Sequence, residues 1–375
     1  MKKFSVLKVI GLLIGSVVGA GFLGIPYVVS KVGFPVGLLL IIGVGLLILI
    51  QLLGLVEVTL RTSGKHQITG YVNKYLGEGW RNFVFLLVVL EGYGVLLAYI
   101  VAEGQVLSAI FGGSAFLLSY AFFALVALVV FFGLRLIAKV DLLLTLAMSA
   151  VVIGLAFFSW SQIKFDNFLK FDLGELFPAY GVVLFSFLGA AAIPEMRIAI
   201  TGQETKFART VAIAGLIPIA IYIVFTAAVL GVTGTNTTTI ATIGLGQYLG
   251  RGVVIAGNLL AAITMTTSFL GMSLALKETF HYDFHYKRVE AWLLTITVPL
   301  ILFSLGLHNF IQILQFVGAV IGGLLGVVLV LTMWQAEKKG DRQPEFVLPY
   351  KKFFGWVLIS VFVVGLLYTL KSIVQ

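Results

Sequence analysis

The chain has 375 residues, is 60% hydrophobic and 11% charged, has a mean hydropathy of +1.10, and contains no cysteine. A soluble domain carries about 25% charged residues, so a soluble globular protein is excluded. Without cysteine, so are disulfides, thiolate catalysis and Cys-based metal sites.

Runs of about 20 apolar residues recur from end to end, the signature of repeated membrane spans. In lipid every backbone polar group needs an internal partner, so the spans are predicted as helices. A β-barrel would show short alternating segments instead. Apolar runs between charged or turn-rich breaks predict eleven transmembrane helices in an all-α membrane protein: 6–29, 34–60, 82–109, 115–133, 141–160, 177–198, 210–232, 249–275, 291–306, 310–334 and 354–374. The start, "MKKFSVLKVIGLLIGSVVGA", has the layout of a secretory signal. Cleavage after Ala20 would destroy the first of many spans, so it is read as an uncleaved first helix.

With the N-terminus cytoplasmic, 20 of the 25 Lys and Arg fall in cytoplasmic segments, and only Lys31, Lys164, Lys170, Arg251 and Lys371 lie outside. That asymmetry follows the positive-inside rule. It predicts a multi-pass protein of the cell's inner (plasma) membrane, N-terminus in and C-terminus out. The formal charge of +9 is thereby topological, which removes nucleic acid as a partner. The connections are too short for a soluble domain, so the chain reads as one transmembrane domain. The longest, 61–80, is predicted to carry a surface helix, and 161–175 reads as an interfacial segment.

The first span contains "GLLIGSVVGAGFLGIP", with five glycines, Ser16 and Pro26. Gly11, Gly15 and Gly19 share one helix face and make a ridge for close packing, as do Gly318, Gly322 and Gly326 in the tenth span. Gly21 and Gly24 lie off that face. "GSVVGAG" (15–21) is equally suited to open into an unwound segment, which lipid permits only where it is buried or lines a cavity. The sixth span favours unwinding. Aligning "GSVVGAG" with "FSFLGAA" (185–191) pairs Ser16 with Ser186, Gly19 with Gly189 and Ala20 with Ala190, and Pro26 and Pro194 follow. Spans five apart cross in opposite directions, so the pattern is that of inverted repeats, each opened by a discontinuous helix. Repeat one covers about 6–160, repeat two about 177–334, and an extra helix about 354–374. Half-helices meeting at mid-membrane expose N–H groups to an anion and C=O groups to a cation. A zwitterionic amino acid supplies both.

"GSVVGAGFLGIPY" (15–27), "AYIVAEGQVL" (98–107), "FSFLGAAAIPE" (185–195), "SFLGMSLALKETFHYDF" (268–284) and Pro299-Leu300 resemble the amino acid–polyamine–organocation superfamily, which has the LeuT-type fold. Within it the chain resembles the amino acid/auxin permeases and their bacterial hydroxy and aromatic amino acid permease branch. The resemblance implies a LeuT-type 5+5 inverted-repeat bundle performing secondary active uptake of an amino acid. Substrate would lie between spans 1, 3, 6, 8 and 10. By position the site residues are Gly15, Ser16, Val17, Val18, Gly19, Ala20 and Gly21, with Phe185, Ser186, Phe187, Gly189 and Ala190. Tyr93 and Tyr99 of the third span join them. Neither broken segment holds a charge, which favours a neutral substrate, and the surrounding Gly, Ala and aromatic residues leave room for a hydrophobic or aromatic one.

Intramembrane acids are functional candidates. Glu57 sits near the cytoplasmic end of span 2, four residues before Arg61, and reads as an interfacial ion pair. Glu91 lies near the middle of span 3 and is the candidate proton carrier, against a purely structural role. Glu103 lies nearer the outer surface, on the helix face of Tyr99 and away from that of Glu91. The resemblance also implies a sodium arrangement in which first-span carbonyls meet hydroxyls of span 8, here Thr266, Thr267 and Ser268. The coupling ion is therefore H⁺ or Na⁺, with no other cofactor. "HYDFHY" (281–286) alternates its His and Asp and does not converge them on a metal. No nucleophile–base pair is visible, so nothing marks an enzyme. The partners implied are an amino acid and the lipid bilayer, and no obligate protein partner is evident. A non-transporting sensor of the same fold is the alternative.

Overall fold

The computed structural model describes residues 6–132, 150, 154–155, 157–169 and 172–374. The first predicted span is two helices, α1 (Val6–Val17) and α2 (Gly21–Val32), bent by 51° at their junction. Gly33, at φ +91°, turns the chain into α3 (Phe34–Leu60), which carries a proline in its first turn. There the missing N–H costs nothing. The predicted surface helix of the 61–80 connection is α4 (Ile68–Leu76). It leads into α5 (Glu78–Phe111), 34 residues long and so about 51 Å. α6 (Ala115–Phe132) follows. The predicted fifth span, 141–160, lies largely outside the described residues.

The second half opens with α7 (Leu176–Phe187) and α8 (Ala192–Ala199), which run on as one crossing from Leu173 to Ala199. Then come α9 (Phe207–Thr233), the short α10 (Ala241–Leu249), α11 (Arg251–Asp283) and α12 (Arg288–Ser304). The tenth span is α13 (Phe310–Phe316), a π-helical stretch Val317–Gly322, and α14 (Gly323–Lys339), and the last is α15 (Lys351–Val374). Among the described residues, eight helices are long and apolar enough to cross a membrane, or nine with the bent pair counted as one. The predicted ninth span corresponds to α12, which at 17 residues is shorter than these.

Two groups of helices form. α1, α2, α3, α7, α8 and α9 pack on one another, and α5, α6, α11 and α12 form a second group. The tenth span touches both, through α7 on one side and α5 on the other. Lipid is as apolar as leucine, so such helices associate by close packing and hydrogen bonds rather than by water exclusion. The glycine ridge predicted in the tenth span does this. A Cβ on Gly318 would strike the Gly181 carbonyl of α7, and one on Gly326 would meet the Phe362 ring of α15 at 2.5 Å. The second group is tied by polar bonds: Ser119 to the Ile100 carbonyl, Trp292 to Ala127, and Lys277 to the last carbonyls of α6 at Val130 and Phe131.

The Glu57–Arg61 pair predicted from sequence is present and larger than expected. Glu57 Oε1 accepts from Arg61 Nε at 2.7 Å and from Lys351 Nζ at 2.6 Å, while Oε2 accepts from the Leu348 backbone N–H at 2.9 Å. The carboxylate thus pins the start of α15 to α3. Asp341, bonded to Lys74 and to the Ser63 N–H, fastens the α14–α15 connection to the α3–α4 connection on the same face.

Candidate binding site: a pair of helix breaks

The helical ladder of α1 stops just before Gly19. Val18 N–H reaches the Ile14 carbonyl at 2.7 Å, Gly19 N–H folds back to the Val17 carbonyl at 3.0 Å, and the next bond runs from Leu23 to Ala20 at 3.1 Å. The second break has the same form: Leu188 bonds Phe185, then Ala192 bonds Gly189 and Ile193 bonds Ala190, each at 3.1 Å. The non-helical stretches, Val18–Ala20 and 188–191, are narrower than the predicted 15–21 and 185–191. Gly15, Ser16 and Val17 form the last turn of α1, Gly21 opens α2, and Phe185, Ser186 and Phe187 close α7. The narrowing has a simple cause. The last turn of a helix keeps its N–H bonds while its carbonyls lose theirs, and the first turn keeps its carbonyl bonds while its N–H groups go free. Residues adjoining each gap can therefore stay helical and still offer backbone groups.

The two breaks lie against each other. A Cβ on Gly21 would sit 2.7 Å from both Phe185 Cδ1 and Ser186 Oγ, and one on Gly189 would meet Val17 Cγ2 at 2.5 Å. Small residues are needed at both crossings for this approach. Tyr222 of α9, fully buried, joins the two helix ends: its hydroxyl lies 2.8 Å from the Ser186 carbonyl and 3.1 Å from the Val17 carbonyl. Its ring rests on Phe187 (centroids 5.0 Å apart) and is parallel to Phe22 at 6.1 Å. From the other helix group Tyr99 reaches the first break, since a Cβ on Gly19 would lie 2.9 Å from its hydroxyl.

Around the junction Val17, Val18, Ala20 and Gly21 are buried, Gly15, Gly19, Phe185 and Ala190 half-buried, and Ser16 exposed. Ser186 is turned inward, its hydroxyl on the Val182 carbonyl at 2.9 Å. The site therefore combines helix-end N–H and C=O groups with apolar and aromatic walls, and no charged side chain lies in either break.

Some predicted residues lie elsewhere. Tyr93 donates to the Leu294 carbonyl of α12 at 3.0 Å, within the second helix group rather than at the breaks. Glu91 is half-buried and makes no hydrogen bond or ion pair among the described residues. Thr267 bonds its own helix at Thr264, and Ser268 is half-buried. Thr266 donates to Glu103 of α5 at 3.0 Å, while α1 packs chiefly on α9 and α8. Thr266 and Thr267 are thus bonded within the second helix group, and the Val17 carbonyl of α1 accepts from Tyr222. His281 of "HYDFHY" pairs through Nδ1 with the Tyr286 carbonyl at 2.7 Å.

Tyr222 was missed by sequence reasoning. Its signal was a lone phenol in the middle of an apolar span, which must find an acceptor when buried.

A helical membrane bundle with two facing helix breaks defines a LeuT-type transporter. MhsT, solved in complex with L-phenylalanine, superposes with a TM-score of 0.74 over 98% of both chains at 18% identity, a likeness of fold. Residues 2–369 match the tryptophan/tyrosine permease family, and the chain belongs to that family. Tyrosine-specific transport system 1 of Haemophilus influenzae is 24% identical, covering 96% of this chain and 94% of the relative. Glutamine transporter 2 of Aliivibrio fischeri is 25% identical over 88% and 90%. The protein is a permease, not an enzyme.

Proposed function

We propose that this permease imports a neutral amino acid, hydrophobic or aromatic in its side chain, by alternating access, driven by a proton or sodium gradient. The observation that carries the reading is the paired break. Free N–H groups at the starts of α2 and α8 favour an anion and carbonyls at the ends of α1 and α7 favour a cation. No charged side chain lies within either break, and Glu195 in the first turn of α8 is exposed and bonded to Gln67. A zwitterion with a neutral side chain satisfies both ends. Tyr99, Phe185 and Phe187 give the walls aromatic character. Relatives named for tyrosine and glutamine support a neutral side chain, and tyrosine, with the phenylalanine of the MhsT complex, supports an aromatic one. In the proposed cycle the helix group containing both breaks rocks against the group of α5, α6, α11 and α12. The face rich in Lys and Arg is cytoplasmic.

The test is uptake of labelled L-tyrosine, L-phenylalanine and L-glutamine into proteoliposomes under imposed proton or sodium gradients. Gradient-dependent accumulation of at least one is expected. Absence of accumulation and of exchange for every neutral amino acid would remove the transporter reading.

A further inference from the structure

We propose that Glu103, held by Thr266, is the carboxyl that takes up and releases the driving proton; the inference rests on the importer reading above. Glu103 is 1% exposed. Oε1 accepts from Thr266 Oγ1 at 3.0 Å, and Oε2 is buried with no partner among the described residues. Among the described residues, one hydroxyl answers the carboxyl.

Among the described residues, no cationic side chain pairs with Glu103 from any element packed against α5. Among the described residues, the elements packed on α5 are chiefly α4, α6, α11, α12, α13, the π-helical stretch and α14. On α11 the sequence from Gly252 to Leu276 contains no titratable side chain, and neither does Phe310–Ala336 of the tenth span. α6 offers only Tyr120, already bonded to Ser304, and the neighbouring His308 is bonded to the Phe303 carbonyl. On α12 the ionisable groups are Arg288 and Glu290, at its cytoplasmic start. Those of α4 (Tyr71, Lys74, Tyr75) lie on that same side. α5 itself supplies Tyr99 one turn below, with Tyr93 and Glu91 further toward the cytoplasm, and Tyr222 stands beyond the breaks on α9. A bare carboxylate with one donor in apolar surroundings is strongly disfavoured against its neutral form. A proton on Oε2 removes that charge and leaves the Thr266 bond intact. A metal cation would find far fewer oxygens than such ions gather.

Position links this carboxyl to transport. Glu103 is four residues from Tyr99, one helical turn or about 6 Å along the same face, and Tyr99 abuts Gly19 in the first break. The Glu103–Thr266 pair thus stands on the stationary helix group, just outward of the substrate site. When the site opens outward, water delivers a proton and the Oε2–H bond forms. When it opens inward, that bond breaks and the proton passes to cytoplasmic water. One proton enters per zwitterion, so one positive charge crosses per cycle.

The experiment compares wild type, Glu103→Gln, Glu103→Asp and Thr266→Val in proteoliposomes, using labelled L-tyrosine and L-phenylalanine. Two quantities are read: accumulation driven by an acid-outside pH step, and exchange at equal pH on both sides. The amide copies the neutral acid and cannot release a proton. Glu103→Gln is expected to lose accumulation by at least about tenfold relative to its own exchange rate. Glu103→Asp and Thr266→Val keep driven accumulation with a displaced pH midpoint. Glu103→Gln accumulating like wild type overturns the proposal. So does loss of exchange in all three variants, which marks a structural role, and so does wild-type accumulation driven by sodium alone. Wild type that neither exchanges nor accumulates any neutral amino acid sinks the importer reading instead.

Discussion

The Tyr222 hydroxyl stands 2.8 Å from the Ser186 carbonyl, at the end of one half-helix, and shares its proton with the Val17 carbonyl at the end of the other. One phenol from α9 thus ties together two breaks about 170 residues apart in sequence. Tyr222→Phe removes the proton that bridges these ends and keeps the ring. The stability cost is about 0.5–1.5 kcal/mol, the net worth of one hydrogen bond. Transport should fall further than stability, because the two ends lose their fixed spacing. Substrate uptake and thermal unfolding of the detergent-purified protein check this together, and equal small losses in both would place Tyr222 in packing alone.

Gly21 is where the breaks touch, and Gly19 is where the second helix group touches them. Gly21→Ala puts a Cβ 2.7 Å from Phe185 and Ser186, and Gly19→Val crowds the Tyr99 hydroxyl. Both should weaken substrate binding by about tenfold or more, or about 1.4 kcal/mol. Gly43, which has open space around its Cβ position, serves as control, and Gly43→Ala should bind normally. Equilibrium binding of labelled amino acid decides. Unchanged affinity in Gly19→Val would remove the first break from the site.

The ion-pair cluster on Glu57 makes a separable prediction about stability. Glu57→Gln leaves Lys351 buried without its nearest anion, and breaking a buried pair costs about 3 kcal/mol. Replacing both, Glu57→Gln with Lys351→Met, should recover part of that loss, since neither charge then remains unpaired. Thermal melts of the two single variants and the double variant measure the coupling. Additive losses would show that the cluster is not a pair.

Asp341 gives a pH signature on the same face. Its carboxyl is held below its ordinary value of 3.8 by the Lys74 ammonium and the Ser63 N–H. A depressed folded-state value contributes stability that is present above pH 3.8 and lost as pH falls through the folded value. The melting difference between wild type and Asp341→Asn should therefore be constant near neutrality and shrink below about pH 4. A difference that grows on acidification would contradict the assignment.

Much of the site was legible because glycine and proline are expensive in a helix. Their recurrence at corresponding places in two spans marks both breaks before any coordinates. Composition shows that a stretch is a poor helix, but not at which bond the ladder stops, so the predicted gaps were too wide. Tyr93 and Tyr99 illustrate a second limit. Six residues apart, they point about 120° apart on a helix. α5 is buried on most sides, so its sequence has no polar face to say which of the two meets the breaks. The partner of Glu103 was hidden likewise, because Thr266 lies 163 residues away.

The central claim, that the paired breaks hold the amino acid, has a direct test in a chain without cysteine. A single Ala190→Cys introduces one thiol at a small, half-buried position in the second break. Its labelling by a membrane-permeant maleimide is timed with and without a transported amino acid. Labelling is predicted to slow several-fold at saturating substrate, and not with an analogue lacking the amino group. Labelling at an unchanged rate, in protein that still transports, would contradict the account.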